Sequence, residues 1–202
     1  TVWITPQPPS PAGPPIAPDI AARLEAEQQA ANRIVVPAEH ALSHALVMRA
    51  QQVLDQARVN VEGLLQPAPS RPCLAITVAP ASLLRVLRLM DVLLLALEQR
   101  GYTISVAADE GVTWVRTPEG GVQLRLAEHV ERKESETYRA ARALDRYAYV
   151  EPAKRWTYRP DGQLTITMTD EDGTQRAACR DTATRRLENQ LNRVVAGIIR
   201  TA

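Results

Sequence analysis

Phenylalanine is absent from this 202-residue chain, and all aromatic residues together make up 4% of it. Proteins that bind single-stranded nucleic acid usually stack bases on aromatic side chains, so this composition disfavours that class. Excess charge is lacking as well, with 24 Lys and Arg against 23 Asp and Glu. A net charge of +1 gives no global attraction to nucleic acid or anionic lipid, so any basic surface must be local.

Cysteine is scarce, and neither Cys73 nor Cys179 belongs to a CxxC pair. This argues against a disulfide framework and a zinc ribbon, and it favours a reducing compartment, which we take to be the cytoplasm. Each cysteine falls among apolar residues of a predicted strand, where a thiol is usually a small core residue. We therefore expect two buried, unreactive cysteines.

Histidine is nearly as rare, and two of the three histidines, His40 and His44, lie four residues apart. On a helix that spacing can place two imidazoles on one metal ion. No HExxH glutamate accompanies them, so we expect capping or surface residues and predict no metal or cofactor. The acidic turn Asp170 to Asp172 lacks the alternating oxygen ligands of a calcium-binding loop.

The chain also lacks a long uninterrupted apolar run. Its most apolar stretch begins at Leu83 and is broken by Arg85, Arg88 and Asp91, whereas a membrane helix needs about 20 apolar residues. The pattern of a signal peptide, a basic segment followed by an apolar one, is not visible. Glycine-rich phosphate loops, a Ser-His-Asp order and paired catalytic carboxylates do not stand out either. We predict no membrane contact and no catalytic residues, which disfavours an enzyme without deciding the matter.

Three regions follow from the patterns that are present. Residues 1–18 are proline-rich and predict an extended linker. Residues 19–66 predict a helical N-terminal segment, with a short helix from Asp19 to Arg33 and an amphipathic one from about Ala38 to Leu65. Residues 73–202 predict an α+β core domain.

The strongest signal in the core domain is a helix from Pro80 to Arg100 that is apolar on nearly all sides. Its initial proline suits the first helical turn, and Gly101 suits the left-handed position after the last turn. Such a helix must be covered almost all round, so we expect it to be deeply buried. Its thin polar stripe holds Arg85, Arg88 and Asp91, and we expect Asp91 to form an i, i+3 ion pair there.

Around this helix the sequence predicts a mostly antiparallel sheet of about six to seven strands, packed also against a long C-terminal helix capped by Asp181. The predicted strands are Cys73 to Ala79, Tyr102 to Ala108, Gly111 to Thr117, Gly121 to Leu126, Arg155 to Pro160, and two that follow turns at Asp161-Gly162 and at Asp170 to Gly173. Residues 127–149 are highly charged and predict a solvated helix or a mobile excursion. Two arrangements are compatible with this order of elements. In one, a curved sheet packs around the closing helix, and in the other, the first half of the core domain has a ferredoxin-like arrangement.

The densest polar and aromatic group is Lys154, Arg155, Trp156, Tyr158 and Arg159. Strand alternation places Arg155 and Arg159 on one face and the two aromatic residues on the other. The basic residues, Lys154 included, are candidate contacts for nucleic acid or a partner. The competing interpretation is an ordinary solvated strand whose basic residues protect a sheet edge.

A candidate ligand pocket combines Trp156 and Tyr158 with the polar stripe of the buried helix, namely Arg85, Arg88 and Asp91. Because that helix is committed to the core, only the stripe could meet a cleft. An ion pair within the stripe is the simpler interpretation, since structural ion pairs also produce such clusters.

Several stretches carry a family resemblance: LLRVLRLMDVLLLALEQRGYTISV, RWTYRPDGQLTITM, RDTATRRLENQLNRVVAGIIRTA and HALSHALV. They resemble the C-terminal domain of a group of poorly characterised bacterial proteins that commonly carry an N-terminal helix-turn-helix segment and then a proline-rich linker. The resemblance covers most of residues 35–202 and includes no catalytic motif. It implies the body of a DNA-associated regulator or mobile-element protein whose DNA-binding module precedes Thr1.

The leading hypothesis is therefore a non-enzymatic interaction, oligomerisation or ligand-sensing domain, with DNA reached through an upstream module and a homo-oligomer as a further expectation. The alternative is an enzyme acting on nucleic acid, with a site assembled from dispersed residues: Arg85, Arg88, Asp91, Glu128 and the strand from Arg155 to Arg159. A third hypothesis is direct nucleic-acid binding by that strand, which would weaken as salt rises.

Overall fold

The structure is a computed structural model of the chain, and it describes residues 18–68, 71–107, 111–144 and 155–202. Most of the predicted linker, the turn at Asp109 and Glu110, the end of the charged segment and Lys154 lie outside the described residues.

The described residues form five α-helices and six strands. The helices are α1 (Pro18–Ala26), α2 (Ala45–Asp55), α3 (Leu83–Gln99), α4 (Glu136–Leu144) and α5 (Leu191–Thr201). The strands are β1 (Ile76–Thr77), β2 (Thr103–Val106), β3 (Thr113–Arg116), β4 (Gly121–Glu134), β5 (Trp156–Thr169) and β6 (Gln175–Arg180). Three short 3₁₀ turns, Ala30–Asn32, Pro80–Ser82 and Leu187–Asn189, join them.

One sheet contains all six strands, in the order β2-β3-β4-β5-β6 with antiparallel neighbours. The short β1 joins β4 in parallel, with Ile76 opposite Leu126. It lies on the same edge of β4 as β3, whose pairing with β4 ends where Thr113 lies opposite Leu124. The predicted α+β class, the mostly antiparallel sheet and the closing helix are confirmed.

Every second side chain of the central strands is buried in one core together with α3 and α5. These strand residues are Val115, Val122, Leu124, Leu126, Leu164, Ile166 and Met168. The alternate residues of β4 and β5 (Gln123, Arg125, Thr165, Thr167 and Thr169) are half-buried or exposed. We call this polar side of the sheet the outer face.

The long buried helix is confirmed: a 3₁₀ turn at Pro80–Ser82 leads into α3, and Gly101 follows with φ of +79°. Ten residues of α3 are buried. The strand predicted before it is shorter than expected, since only Ile76 and Thr77 pair with β4.

The predicted helix from Ala38 to Leu65 is wrong at both ends, because α2 covers only Ala45–Asp55. Before it, Asp91 Oδ1 accepts hydrogen bonds from the backbone N–H groups of Ser43 (3.0 Å) and His44 (2.8 Å), which holds this segment out of the helix. After it, Asn60 Oδ1 accepts from Glu62 N–H and Leu64 N–H, both at 2.9 Å, and closes a turn. Side-chain acceptors of this kind compete with helical hydrogen bonding.

The first helix is also shorter than predicted: α1 ends at Ala26, and a separate 3₁₀ turn covers Ala30–Asn32. The closing helix begins later than predicted, at Leu191, so Asp181 does not cap it. Asp181 instead accepts hydrogen bonds from the N–H groups of Leu164 (3.0 Å) and Leu187 (2.7 Å), which pins the chain before α5.

The charged segment was predicted to leave the sheet at Ala127, but β4 continues to Glu134. Glu128 takes an inward position that an apolar residue would normally fill, and it is 6% exposed. Its carboxylate accepts from Ala79 N–H (2.8 Å) and Gly162 N–H (2.9 Å), which compensates for its burial. Within the described part of the charged segment, a helix, α4, follows β4, and it has no buried residues.

The predicted turn at Asp161-Gly162 is wrong as well, because β5 runs through it as one strand of 14 residues. The pairs Glu128–Leu164 and Val130–Pro160 enclose a bulge in which Asp161 to Gln163 lie opposite the single His129. Gly162 takes a φ of +77° there, a left-handed conformation that glycine adopts without strain. The Asp-Gly pair therefore bends a strand instead of ending it.

Beyond this bulge β4 and β5 pair with no other strand among the residues that the structure describes. The β3 pairing stops at Leu124 and the β6 pairing starts at Thr165, whereas β4 and β5 remain paired out to Glu134 and Trp156. We call this two-stranded extension, Val130–Glu134 with Trp156–Pro160, together with α4, the arm.

Candidate functional site

The arm stacks four aromatic and cationic side chains that lie far apart in the sequence: Arg132, Trp156, Arg155 and Tyr138. The Arg132 guanidinium lies 4.4 Å from the Trp156 ring centre, and that of Arg155 lies 4.8 Å from the same ring. Arg155 also lies 5.0 Å from the ring of Tyr138 on α4. Cation–π contacts of this kind contribute about 0.5–1 kcal/mol each at exposed sites. They join α4 to the paired strands and give the arm a defined shape.

Local hydrogen bonds fix the start of α4 against the arm. Ser135 N–H donates to the Arg155 carbonyl (2.9 Å), and Ser135 Oγ accepts from Tyr138 N–H (3.1 Å). Serine is a favoured N-cap residue, so the cap and the stacked Tyr138 ring orient α4 together.

The arm exposes more free positive than negative charge. Lys133 pairs with Glu131 (2.9 Å) and Arg155 pairs with Glu134 (2.9 Å), so Glu136 is the one arm glutamate without an ion pair among the described residues. Besides Arg132, which stacks on Trp156, three arginines of the arm are exposed and make no ion pair with any residue that the structure describes: Arg139, Arg142 and Arg159. The arm is therefore a local basic surface on a chain of nearly zero net charge.

The predicted alternation along this strand is observed. Arg155, Thr157 and Arg159 are exposed, and Trp156 and Tyr158 are half-buried. The guanidinium of Arg155 nevertheless stacks on aromatic rings, which leaves Arg159 as the free charge of that face. The two aromatic residues lie in the arm, not in the main core.

The polar stripe of α3 does not meet these aromatic residues, and it divides into two separate sites. Asp91 does not form the predicted i, i+3 pair. Its Oδ1 accepts the two backbone N–H groups of Ser43 and His44, and its Oδ2 accepts from His40 Nε2 (2.7 Å) and Ser43 Oγ (3.3 Å). A carboxylate has about four lone-pair sites, so this one is fully occupied.

Burial of Asp91 would raise its pKa, but the hydrogen bonds from His44, His40 and Ser43 outweigh it and hold the pKa below its usual range. Arg88, one turn earlier, donates from Nη1 to the Ala38 carbonyl at 2.9 Å. The expectation of capping residues is confirmed for His44, which caps α2 by accepting the N–H of Leu46 on Nδ1. The contacts of Asp91 and Arg88 tie the extended chain before α2 to α3.

Arg85 is the centre of the second site, and all five of its N–H groups are used. Nη1 donates to Asp181 (2.8 Å) and to the Gly162 carbonyl (3.1 Å), and Nη2 donates to Asp181 (3.0 Å) and Glu188 (2.8 Å). Nε donates to Glu188 at 2.7 Å. A guanidinium has five donors in a fixed fork, so no donor remains for a ligand.

Asp181, an acidic partner of Arg85, is equally engaged. Asp181 accepts from Arg85 and from the N–H groups of Leu164 and Leu187, so its four lone-pair sites are filled. Burial would raise the pKa of Asp181, but these hydrogen bonds outweigh it and lower the pKa. The Arg85 cluster therefore joins α3, the β5 bulge and the end of β6, and it is structural.

Both cysteines are buried and free, as predicted. Burial raises the pKa of Cys73 to about 11 and raises that of Cys179 as well. Thiols of this kind are not nucleophiles near neutral pH. Across the described parts of the chain, no three His, Cys, Asp or Glu side chains come close enough to hold a metal ion.

A groove of about 580 Å³ on the outer face of the sheet is a feature that sequence reasoning missed. Gln123, Arg125, Thr167 and Thr169 line its floor, and residues 66–68 form one wall. The alternation of polar residues in β4 and β5 predicts such a face, but not the segment that walls it.

Among the described helices, none has the length and apolar character needed to span a membrane. Comparison of the chain with models of known protein families, with curated proteins and with solved structures finds no match.

Proposed function

We propose that this chain is a non-enzymatic interaction domain of a bacterial, cytoplasmic DNA-associated regulatory or mobile-element protein, and that its arm contacts double-stranded DNA directly. The observation that carries the proposal is a two-stranded ribbon that leaves the sheet and exposes arginines with no acidic partner in the described parts of the chain. The resemblance described above supplies the DNA-associated context.

The shape of the arm suits duplex DNA. The major groove admits a two-stranded β-ribbon, and arginine side chains on such a ribbon reach phosphates on either side of it. Two guanidinium groups already lie against Trp156, so its ring is not presented as an open platform for an unpaired base. This favours a duplex over a single strand.

The free charges are placed on both parts of the arm. Arg159 lies on β5, and Arg139 and Arg142 lie on α4. Phosphate contacts by such residues are independent of base sequence, so the arm alone would bind DNA with little sequence preference. Sequence selection would then belong to another module, in agreement with the helix-turn-helix segment that the resemblance implies.

The enzyme alternative finds less support. Its residues occupy three places: Arg85 and Glu128 lie at the bulge, Arg88 and Asp91 contact the extended chain before α2, and the Arg155 to Arg159 strand lies in the arm. Arg85 and Asp91 have no free donor or acceptor left for a substrate. A catalytic group must reach its substrate within hydrogen-bonding distance.

A pair of triple variants tests the proposal. The arm variant replaces Arg139, Arg142 and Arg159 by Gln, and the control replaces Arg33, Arg193 and Arg200, three exposed arginines outside the arm that are likewise unpaired among the described residues. Each triple removes the same charge, and fluorescence anisotropy with a labelled duplex measures affinity. We expect the arm variant to bind about tenfold or more weakly and the control to change about twofold or less. Equal losses of affinity in the two variants would show that DNA binding depends only on net charge, which would contradict a role for the arm.

A further inference from the structure

The groove on the outer face of the sheet has the size and the side chains of a small-molecule site, and the arm proposal does not use it. Its volume of about 580 Å³ lies within the range of about 300–1,000 Å³ typical of ligand pockets. A bare inorganic ion would leave most of that space unfilled.

The groove lies where β4 changes its neighbour. Leu124 pairs with Thr113 of β3, and two residues later Leu126 pairs with Ile76 of β1. The two neighbouring strands meet end to end, and Ala75 N–H donates to Thr113 Oγ1 at 2.8 Å across the junction. Arg125 lies between these two pairs, and its exposed side chain is on the outer face. The sheet and this hydrogen bond preform the floor of the groove, so binding would require little ordering.

Hydrogen-bond donors line one side of this floor. Arg125 is exposed and makes no ion pair with a described residue, and Thr167 lies directly opposite it in β5. The hydroxyl of Thr169 and the amides of Gln123 and Gln175 complete the polar lining. A free guanidinium with hydroxyl and amide donors nearby is suited to an oxyanion, which it binds as a fork.

The opposite side of the groove is apolar. The half-buried Pro67 and Val112 and the exposed Ala68 line it, and they offer contact for a flat, weakly polar body. A ligand that matches both sides has a negatively charged group at one end and a ring-like body at the other. An organic anion about the size of a mononucleotide fits this description.

We propose that the outer-face groove binds a small organic anion, whose phosphate or carboxylate group is held by Arg125 and whose body lies against the apolar wall. This activity is separate from DNA binding by the arm, and it would make the domain a sensor of that anion.

Calorimetric titration with three probes tests the inference. AMP carries a ring and a phosphate, nicotinate carries a ring and a carboxylate, and adenosine carries no anionic group. We expect saturable binding of AMP or nicotinate, with the stronger of the two identifying the anion class, and binding of adenosine about tenfold weaker or absent. Adenosine that binds as well as the anions, or the absence of saturable binding by all three, would overturn the proposal.

Two single variants locate the site. Arg125→Gln should weaken the anionic probe about tenfold. Arg180→Gln should change its affinity less than about twofold, because Arg180 is also exposed and unpaired among described residues but does not line the groove. Equal losses of affinity in the two variants would refute a specific anion site at Arg125.

The groove and the arm can be separated experimentally. Arg125→Gln should leave DNA affinity within about twofold of the unmodified chain, and the arm triple variant should leave AMP or nicotinate affinity unchanged within the same limit. A failure of the DNA-binding proposal can therefore be told apart from a failure of the anion-binding proposal. Both variants should show unchanged thermal unfolding, because the replaced side chains are exposed.

Discussion

Arg85 on α3 and Asp181 at the end of β6 form a bidentate ion pair, with Nη1 to Oδ2 at 2.8 Å and Nη2 to Oδ1 at 3.0 Å. The Asp181 side chain is 2% exposed and that of Arg85 is 24% exposed. The pair joins the buried helix to the far strand of the sheet. Since Arg85 also donates to the Gly162 carbonyl, it fixes the bulge from which the arm departs.

Replacing Arg85 by Met should therefore be strongly destabilising. The substitution keeps much of the apolar stem but leaves the buried Asp181 carboxylate without its charged partner, and breaking such a pair costs about 3–5 kcal/mol. We expect a loss toward the lower end of that range in the free energy of unfolding, measured by urea denaturation, because Arg85 is partly solvated. Arg176→Met is the matched control: Arg176 pairs with Asp170 at 2.6 Å, but its side chain is 56% exposed, so its loss should lower the free energy of unfolding much less. Similar losses in the two variants would contradict a structural role for Arg85.

Acid should destabilise the fold through Asp91 and Asp181. Hydrogen bonds hold the pKa of each carboxyl below its usual range in the folded state, so both groups bind protons more weakly when folded than when unfolded. Their stabilising contribution is complete above the ordinary aspartate pKa of about 3.9 and is lost as the pH falls through that value toward the lower folded-state pKa. Denaturation curves at pH 3 to 7 should show a plateau near neutrality and a decline below about pH 4.

Asp91→Asn separates the contribution of Asp91 from that of Asp181. The amide oxygen can still accept the backbone N–H groups of Ser43 and His44, but the amide nitrogen cannot accept from His40 Nε2. We expect a loss of about 1–3 kcal/mol at pH 7 and a shallower decline below pH 4. A variant with the acid sensitivity of the unmodified chain would exclude Asp91 as a source of it.

Gly197 on α5 should resist replacement by alanine. A Cβ there would lie 2.6 Å from Met168 Sδ, and Met168 is fully buried in β5. Alanine is favoured over glycine in a helix by about 1 kcal/mol, but overpacking a core costs about 1–3 kcal/mol, so we expect a small net destabilisation.

The double variant Gly197→Ala with Met168→Ala tests the cause of that loss. If the clash with Met168 is responsible, the double variant should be less destabilised than the sum of the two single variants in thermal unfolding. Additive losses of stability would show that the destabilisation by Gly197→Ala does not come from a clash with Met168.

The parts of the fold that the sequence predicts are those set by local periodicity. The buried helix, the strands around it and the apolar stripe of α5 all follow from the spacing of apolar residues. The boundaries that were wrong depend on contacts between distant residues. Asp91 holds back the start of α2 from about 50 positions away, and Glu128 prolongs β4 because two distant N–H groups satisfy it.

The candidate site was predicted only in part for the same reason. Alternation gave the correct faces for Trp156 and Arg159, because it is a property of one strand. The stacking of Arg132 on Trp156 depends on the register between two strands, and the groove at Arg125 depends on which strands adjoin β4. Nothing in the local pattern around these residues contains that information.

The salt dependence of DNA binding tests the central claim most directly. For the unmodified chain, log Kd should rise linearly with log salt concentration in anisotropy titrations with a labelled duplex. Because each phosphate contact contributes about 0.9 to the slope, the triple variant of Arg139, Arg142 and Arg159 should lower it by about 2 to 3, and the Arg33, Arg193 and Arg200 control should leave it unchanged. Binding that does not depend on salt, or a slope that is the same in the arm variant and the unmodified chain, would contradict DNA binding by the arm.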